Sequence, residues 1–138
     1  MSVFDKYFTG ECSISLEKVG YNKLDEIESD VSLRINDCIA IKENKYDWDK
    51  IEFIISRNLS FEPRSLVEID VSFGVILELN EKYKGSKQLD YKSIISDMIS
   101  EDCVITSIIM SRISLLISQL TSSYGERPIV TPPSFIKN

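Results

Sequence analysis

The chain has 138 residues, enough for one hydrophobic core and too few for two. It carries 22 acidic against 16 basic residues, a net charge of −6, which argues against a general nucleic-acid binder. It has no histidine, so no His-based triad, imidazole metal ligand or imidazole pH switch can be assembled from it.

The three cysteines, Cys12, Cys38 and Cys103, are widely spaced and form no Cys-x-x-Cys pair. They predict neither a disulfide framework nor a zinc site, and read as thiols of a reducing compartment. The first residues, Met1-Ser2-Val3-Phe4-Asp5-Lys6, lack the basic and apolar regions of a signal peptide. No uncharged apolar run reaches the ~18 residues of a membrane span. The expected location is cytoplasmic.

In chain order, the first strand is predicted at about 12–19, where Cys12, Ile14 and Leu16 alternate with Ser13, Ser15 and Glu17. The second lies at about 31–41, with Val31, Leu33, Ile35, Ile39 and Ile41 on one parity and Asp37 interrupting it. The third spans about 51–61: Ile51, Phe53, Ile55, Leu59 and Phe61 share a parity to which Arg57 is the exception. The fourth, 66–79, alternates almost completely from Val67 to Leu79, and Glu62-Pro63-Arg64-Ser65 supplies the turn of a hairpin with the third. A linker containing Gly85 follows. Helices are predicted at about 90–99, capped by Asp90, and 103–124, capped by Ser100 with Glu101 and Asp102 in its first turn. Gly125 stops the second helix, and Pro128, Pro132 and Pro133 keep a tail at 125–138 extended. Strands followed by helices predict a single α+β domain over 1–138: a four-stranded antiparallel sheet with a long C-terminal helix, broken or continuous, on one face. The apolar coverage of that helix is wide, which fits either a thick core or a second packing partner.

Catalytic apparatus is hard to find. The five glycines make neither a Gly-x-Gly-x-x-Gly fingerprint nor a P-loop, and no cofactor is expected. A serine nucleophile without histidine needs a lysine or carboxylate base in a persuasive context, and none is evident. The carboxylate pairs Asp47 with Asp49 and Glu101 with Asp102 read as an exposed loop and a helix start. No catalytic or metal-binding residue is assigned, and the chain is not expected to be an enzyme. What remains is surface. Tyr7, Phe8, Tyr21, Tyr46 and Trp48, with Ile129, Val130, Phe135 and Ile136 in the tail, are either anchors under loops or the lining of a shallow groove for extended polypeptide.

The stretch Ile117-Ser118-Gln119-Leu120-Thr121-Ser122-Ser123-Tyr124-Gly125, followed by Pro128-Ile129-Val130-Thr131-Pro132-Pro133-Ser134-Phe135, resembles the end of the SecB family of export chaperones. Tyr7-Phe8 followed by Ile14-Ser15-Leu16-Glu17 is similar to that family's first strand, and Val67 to Leu79 to its last. Pro133-Ser134-Phe135 is one residue shorter than the family's Pro-x-Asn-Phe signature and lacks its asparagine, and the chain ends three residues later, without the family's last helix.

The resemblance implies an ATP-independent holdase acting in protein export and translocation. It would be a homotetramer, a dimer of dimers, that binds unfolded polypeptide in apolar grooves and passes it to the SecA translocase motor. The residues then expected to bind clients are Tyr21, Leu24, Tyr46, Trp48, Ile129, Val130 and Phe135; an acidic motor-docking face is expected at Glu68, Asp70 and Glu78, which are equally the wet face of a strand. The alternative is a SecB-like chaperone or adaptor dedicated to one partner, such as an antitoxin. The short C-terminus leans toward it.

Overall fold

The computed structural model describes residues 3–42, 49–85, 89–100, 102–123 and 127–137. A short helix α1 (Val3–Tyr7) leads into β1 (Phe8–Lys23), β2 (Ser32–Lys42), β3 (Lys50–Glu62) and β4 (Val67–Leu79). A 3-10 turn (Glu81–Tyr83) and the helices α2 (Tyr91–Ile99) and α3 (Val104–Ser123) follow. The strands form one antiparallel sheet in the order β1-β4-β3-β2. β2, β3 and β4 are successive neighbours, and β1 returns along the far side of β4. This Greek-key arrangement requires the 24–31 connection to pass the end of the β3–β4 hairpin.

Strand alternation decides the faces. Phe53, Ile55, Leu59, Ile69, Val71 and Val75 are fully buried on the helix side, while the intervening residues of β3 and β4 are mostly half-buried on the other. Each such side chain contributes about 1.5–3 kcal/mol by leaving water. α2 and α3 cover this face through Ile94, Met98, Ile109, Met110, Ile113 and Ile117, all fully buried. Val104–Ser122, with a mean hydropathy of 1.5, is by length and composition apolar enough to cross a membrane. Here its apolar side packs on the sheet, as the core helix of a two-layer fold does.

β1 extends beyond 12–19 at both ends. Its period breaks twice, between Phe8 and Cys12, where Gly10 takes φ +94°, and between Leu16 and Lys18. The second break is a bulge at Glu17 that puts even-numbered Leu16 and odd-numbered Val19 and Tyr21 on one face, opposite Phe73, Val71 and Ile69. The hairpin turn contains a cis Glu62–Pro63 bond, and Leu66 is not yet strand: its φ is +62°. Two backbone bonds hold it there, Leu24 N–H to Leu66 C=O (2.8 Å) and Leu66 N–H to Asp25 C=O (3.2 Å), and they fasten the β1–β2 connection to the hairpin.

Asp90 caps α2 as expected, accepting from Ser93 N–H (3.1 Å) and from the Ser93 hydroxyl (2.6 Å). Ser100 does not cap α3. Its Oγ accepts Asp102 N–H within the interhelical turn, and Cys103 C=O receives the first helical bond, from Ser107. Glu101 lies outside the described residues. Tyr7 and Phe8 are both buried in the core, and the Tyr7 ring meets Tyr83 edge-on at 4.6 Å.

The two residues that break parity, Asp37 on β2 and Arg57 on β3, are directly opposed across the strand pair. Arg57 is fully buried, and all five guanidinium N–H groups are used. Nε and Nη2 donate to the two Asp37 carboxylate oxygens (2.7 Å each), Nη1 to Thr131 Oγ1 (2.9 Å) and Pro132 C=O (2.6 Å), and Nη2 also to Ser134 C=O (2.9 Å). Asp37 Oδ2 accepts Ile136 N–H as well (2.8 Å). A buried ion pair is tolerable only when its remaining hydrogen-bonding capacity is filled, and here the C-terminal segment fills it.

Candidate functional site

Where β1 ends, the hairpin turns and the tail leaves α3, a cavity of about 380 Å³ opens. Tyr21, Leu24, Phe61, Leu66, Val67 and Ile129 give it an apolar lining; Lys23, Glu26, Thr121 and Arg127 are its polar members. Tyr21 is placed by its register with Ile69, Leu24 and Leu66 by their shared backbone bond, and Ile129 by the bond from its N–H to Thr121 Oγ1 (2.8 Å). The Thr121 hydroxyl in turn donates to Ile117 C=O (2.9 Å), which fixes it to the last turn of α3.

The cavity continues along β1. α3 lies over β3 and β4, so the helix-side row of β1 is left open: Leu16 is 51% exposed and Val19 39%. With Tyr21 these side chains make an apolar strip that runs into the cavity, of the kind that holds an extended chain by non-directional contact.

Of the residues expected to bind clients, Tyr21, Leu24 and Ile129 come together in this groove. Val130 does not line it and is 78% exposed. Phe135 is partly buried against the core, further along the tail. Tyr46 and Trp48 lie outside the described residues. Phe61, Leu66, Val67, Thr121 and Arg127 were not singled out from the sequence as site residues; Phe61 and Val67 carried only the signal of strand parity.

Glu68, Asp70 and Glu78 share the sheet face away from the helices. Glu68 is held by Arg64, whose hydrogen bond draws the Glu68 carboxyl below its ordinary range and pushes the Arg64 guanidinium up. Asp70 accepts the Asn58 side-chain amide, and Glu78 is 3.8 Å from Lys84 Nζ. Each therefore has a partner within the chain. A second cavity, about 670 Å³, lies between α1, α2 and the start of α3 with Phe8, Leu77 and Ile105 among its lining and Asp5, Asp97 and Asp102 around it. Among the described residues no group of three or more Cys, Asp or Glu is placed to hold a metal ion.

No protein-family model matches the sequence, and no curated protein matches it. The structure does find a counterpart. The SecB-like chaperone Rv1957 of Mycobacterium tuberculosis, solved in complex with a ChAD peptide from the Rv1956 HigA1 antitoxin, superposes with a TM-score of 0.59. The match covers 91% of this chain and 87% of that one, at 11% sequence identity. The fold is SecB-like. Within the SecB-like fold, the four antiparallel strands and the covering C-terminal helix are those the sequence pattern predicts, and the segment after α3 carries Pro133-Ser134-Phe135.

Proposed function

We propose that this SecB-like chain is an ATP-independent chaperone that binds extended or unfolded polypeptide, without catalysis. The observation that carries the reading is the apolar groove of Tyr21, Leu24, Phe61, Leu66 and Ile129, continuous with the exposed Leu16 and Val19. A client laid along it would gain many small contacts rather than one large one, with affinity summed along the chain. The free thiols Cys12 and Cys38, both exposed, suit a reducing cytoplasm.

The test dilutes a denatured, slow-folding protein into buffer with and without this chain, nucleotide absent, and follows light scattering. Suppression at near-stoichiometric ratio supports the holdase. Leu24→Asp, which puts a carboxylate in the groove, should abolish most of it while leaving the far-UV circular dichroism unchanged. Full suppression by a folded Leu24→Asp protein removes the groove from the argument.

A second reading, a chaperone dedicated to one partner, is favoured by the structural counterpart, whose bound peptide comes from an antitoxin. A pull-down that yields one stoichiometric protein supports it; a spread of unfolded clients supports the general chaperone. Export through the SecA motor has less behind it, because Glu68, Asp70 and Glu78 already have partners within the chain.

Assembly as a homotetramer, a dimer of dimers, belongs to the same proposal. β1 and β2 are the sheet's edges, and α3 leaves Val104, Ile108 and Leu115 exposed at 69%, 41% and 60% beside the small Ser107 and Ser111. Symmetric copies would cover both kinds of surface.

A further inference from the structure

Residues 127–137 form an extended ribbon laced along both sides. On one side Ile129 N–H donates to Thr121 Oγ1 (2.8 Å) and Thr131 C=O accepts from the Ser114 hydroxyl (2.6 Å), both on α3. On the other side Pro132 C=O and Ser134 C=O accept from Arg57, and Ile136 N–H donates to Asp37. The main-chain groups of Ile129 and Thr131 therefore face the helix and those of Pro132, Ser134 and Ile136 the sheet, with a bend at 133–134. Up to that bend it is the alternation that an extended polypeptide presents. The five groups are all main-chain. Apart from the Thr131 hydroxyl on Arg57 and the packing of Ile129 and Phe135 on the core, the seat reads backbone rather than side-chain identity.

The ribbon is also lightly held. Within 127–137 only Thr131 is buried, and the segment takes no part in the sheet ladder. Segments with so few buried contacts open at low cost. When this one leaves, Arg57 keeps its two bonds to Asp37, so the guanidinium is not left without its counter-charge.

We propose that the seat between α3 and the Asp37–Arg57 pair is a backbone-reading cleft that takes an extended segment of another polypeptide in exchange for the chain's own residues 127–137. The incoming chain must offer carbonyls at positions i and i+2 and an N–H at i+4, as Pro132, Ser134 and Ile136 do. Only the identity of that chain, an unfolded client, rests on the chaperone reading; the exchange does not.

The probe is a fluorescein-labelled peptide with the sequence of residues 127–137, added to the full-length protein and read by anisotropy. In the parent protein the built-in segment competes at high effective concentration and binding is weak. Phe135→Ala and, separately, Ile136→Pro weaken the built-in segment and leave the seat intact. Each should bind the labelled peptide about tenfold more tightly than the parent does. A peptide with proline in place of Ile136, lacking the N–H for Asp37, should be held about tenfold more weakly. Equal binding of the two peptides, or none by either variant, overturns the proposal. So does an unfolded, carboxymethylated protein that is held without displacing the peptide, a result that leaves the chaperone reading standing. Register-dependent exchange without any holding of unfolded protein upholds the cleft and removes the chaperone reading instead.

Discussion

Asp37→Ala is the most informative single substitution in this fold. It removes the acceptor of two Arg57 N–H groups and of Ile136 N–H, and leaves a guanidinium at 0% exposure without a counter-charge. Breaking one side of a buried pair costs about 3–5 kcal/mol, against a total stability of about 5–15 kcal/mol for a domain of this kind. With a urea dependence of about 1.5 kcal/mol per molar, the unfolding midpoint should fall by about 2–3 M. Urea titration followed by circular dichroism reads the shift, and chymotrypsin cutting after Phe135 reads release of the tail. The double variant Asp37→Leu with Arg57→Met separates charge from packing. It strands no ion, so it should recover most of the lost stability, yet it offers nothing to Pro132 C=O, Ser134 C=O or Ile136 N–H, so the tail should stay cleavable. A loss below ~1 kcal/mol for Asp37→Ala, the range of exposed pairs, would refute the reasoning, because Arg57 would then be finding water in the folded state.

Three further outcomes follow from the same geometry. Asp90→Ala should lower the melting temperature at pH 7, because Ser93 holds the Asp90 carboxylate below its ordinary value near 3.8; a depressed carboxylate stabilises above the unfolded pKa and loses its effect as pH falls through the folded one, so parent and variant should converge in acid below that value. Gly74→Ala places a methyl 2.7 Å from Glu17 Oε1, 3.1 Å from Glu17 Cγ and 3.2 Å from Glu52 Oε1, so the Glu17 side chain must turn as a whole while the Glu52 carboxylate swings aside. Removing backbone freedom from the unfolded chain should then raise stability by up to about 1 kcal/mol, and a lower urea midpoint would show that the carboxylates are fixed. Leu115→Glu, at a position 60% exposed on α3, should reduce the assembly seen by sedimentation velocity without changing the circular dichroism. A parent protein that is already monomeric at micromolar concentration contradicts the tetramer.

How much of this was legible depended on whether the signal was local. The period-2 rows of β3 and β4 could be read directly, because Phe53 to Phe61 and Val67 to Leu79 face one core without interruption by a bulge. β1 was foreshortened because the bulge at Glu17 shifts its parity, so Val19 and Tyr21 do not continue the row of Leu16 in the sequence although they do in the sheet. α1 has only five residues, fewer than periodicity can reveal, and its end is fixed by a distant partner, Asn80, whose backbone N–H donates to Tyr7 C=O. Part of the groove was also visible: Tyr21, Leu24 and Ile129 stood out as apolar residues in polar company. Phe61, Leu66 and Val67 did not, because residues at a sheet's end and in its hairpin turn look like any other apolar residues of the core until the topology shows the cavity beside them.

The least legible feature was the one that organises the others. Asp37 and Arg57 each appear in the sequence as a flaw in an apolar row, and nothing local says that the two flaws face each other across twenty residues. Their opposition has a consequence for how β2 can pair. A slip of β2 by one residue along β3 would turn Asp37 to the outer face and bring Asn36 or Cys38 opposite Arg57. The apolar row would lose only part of its burial, since Leu33, Ile35, Ile39 and Ile41 on this edge strand are not fully covered. Hydrophobic contact alone is thus a weak guard of register here. The stranded guanidinium makes the slip costly by about 3–5 kcal/mol, and it deprives the tail of Asp37 at the same time. The pair therefore sets the edge strand's register by penalising the alternative more than by strengthening the native state.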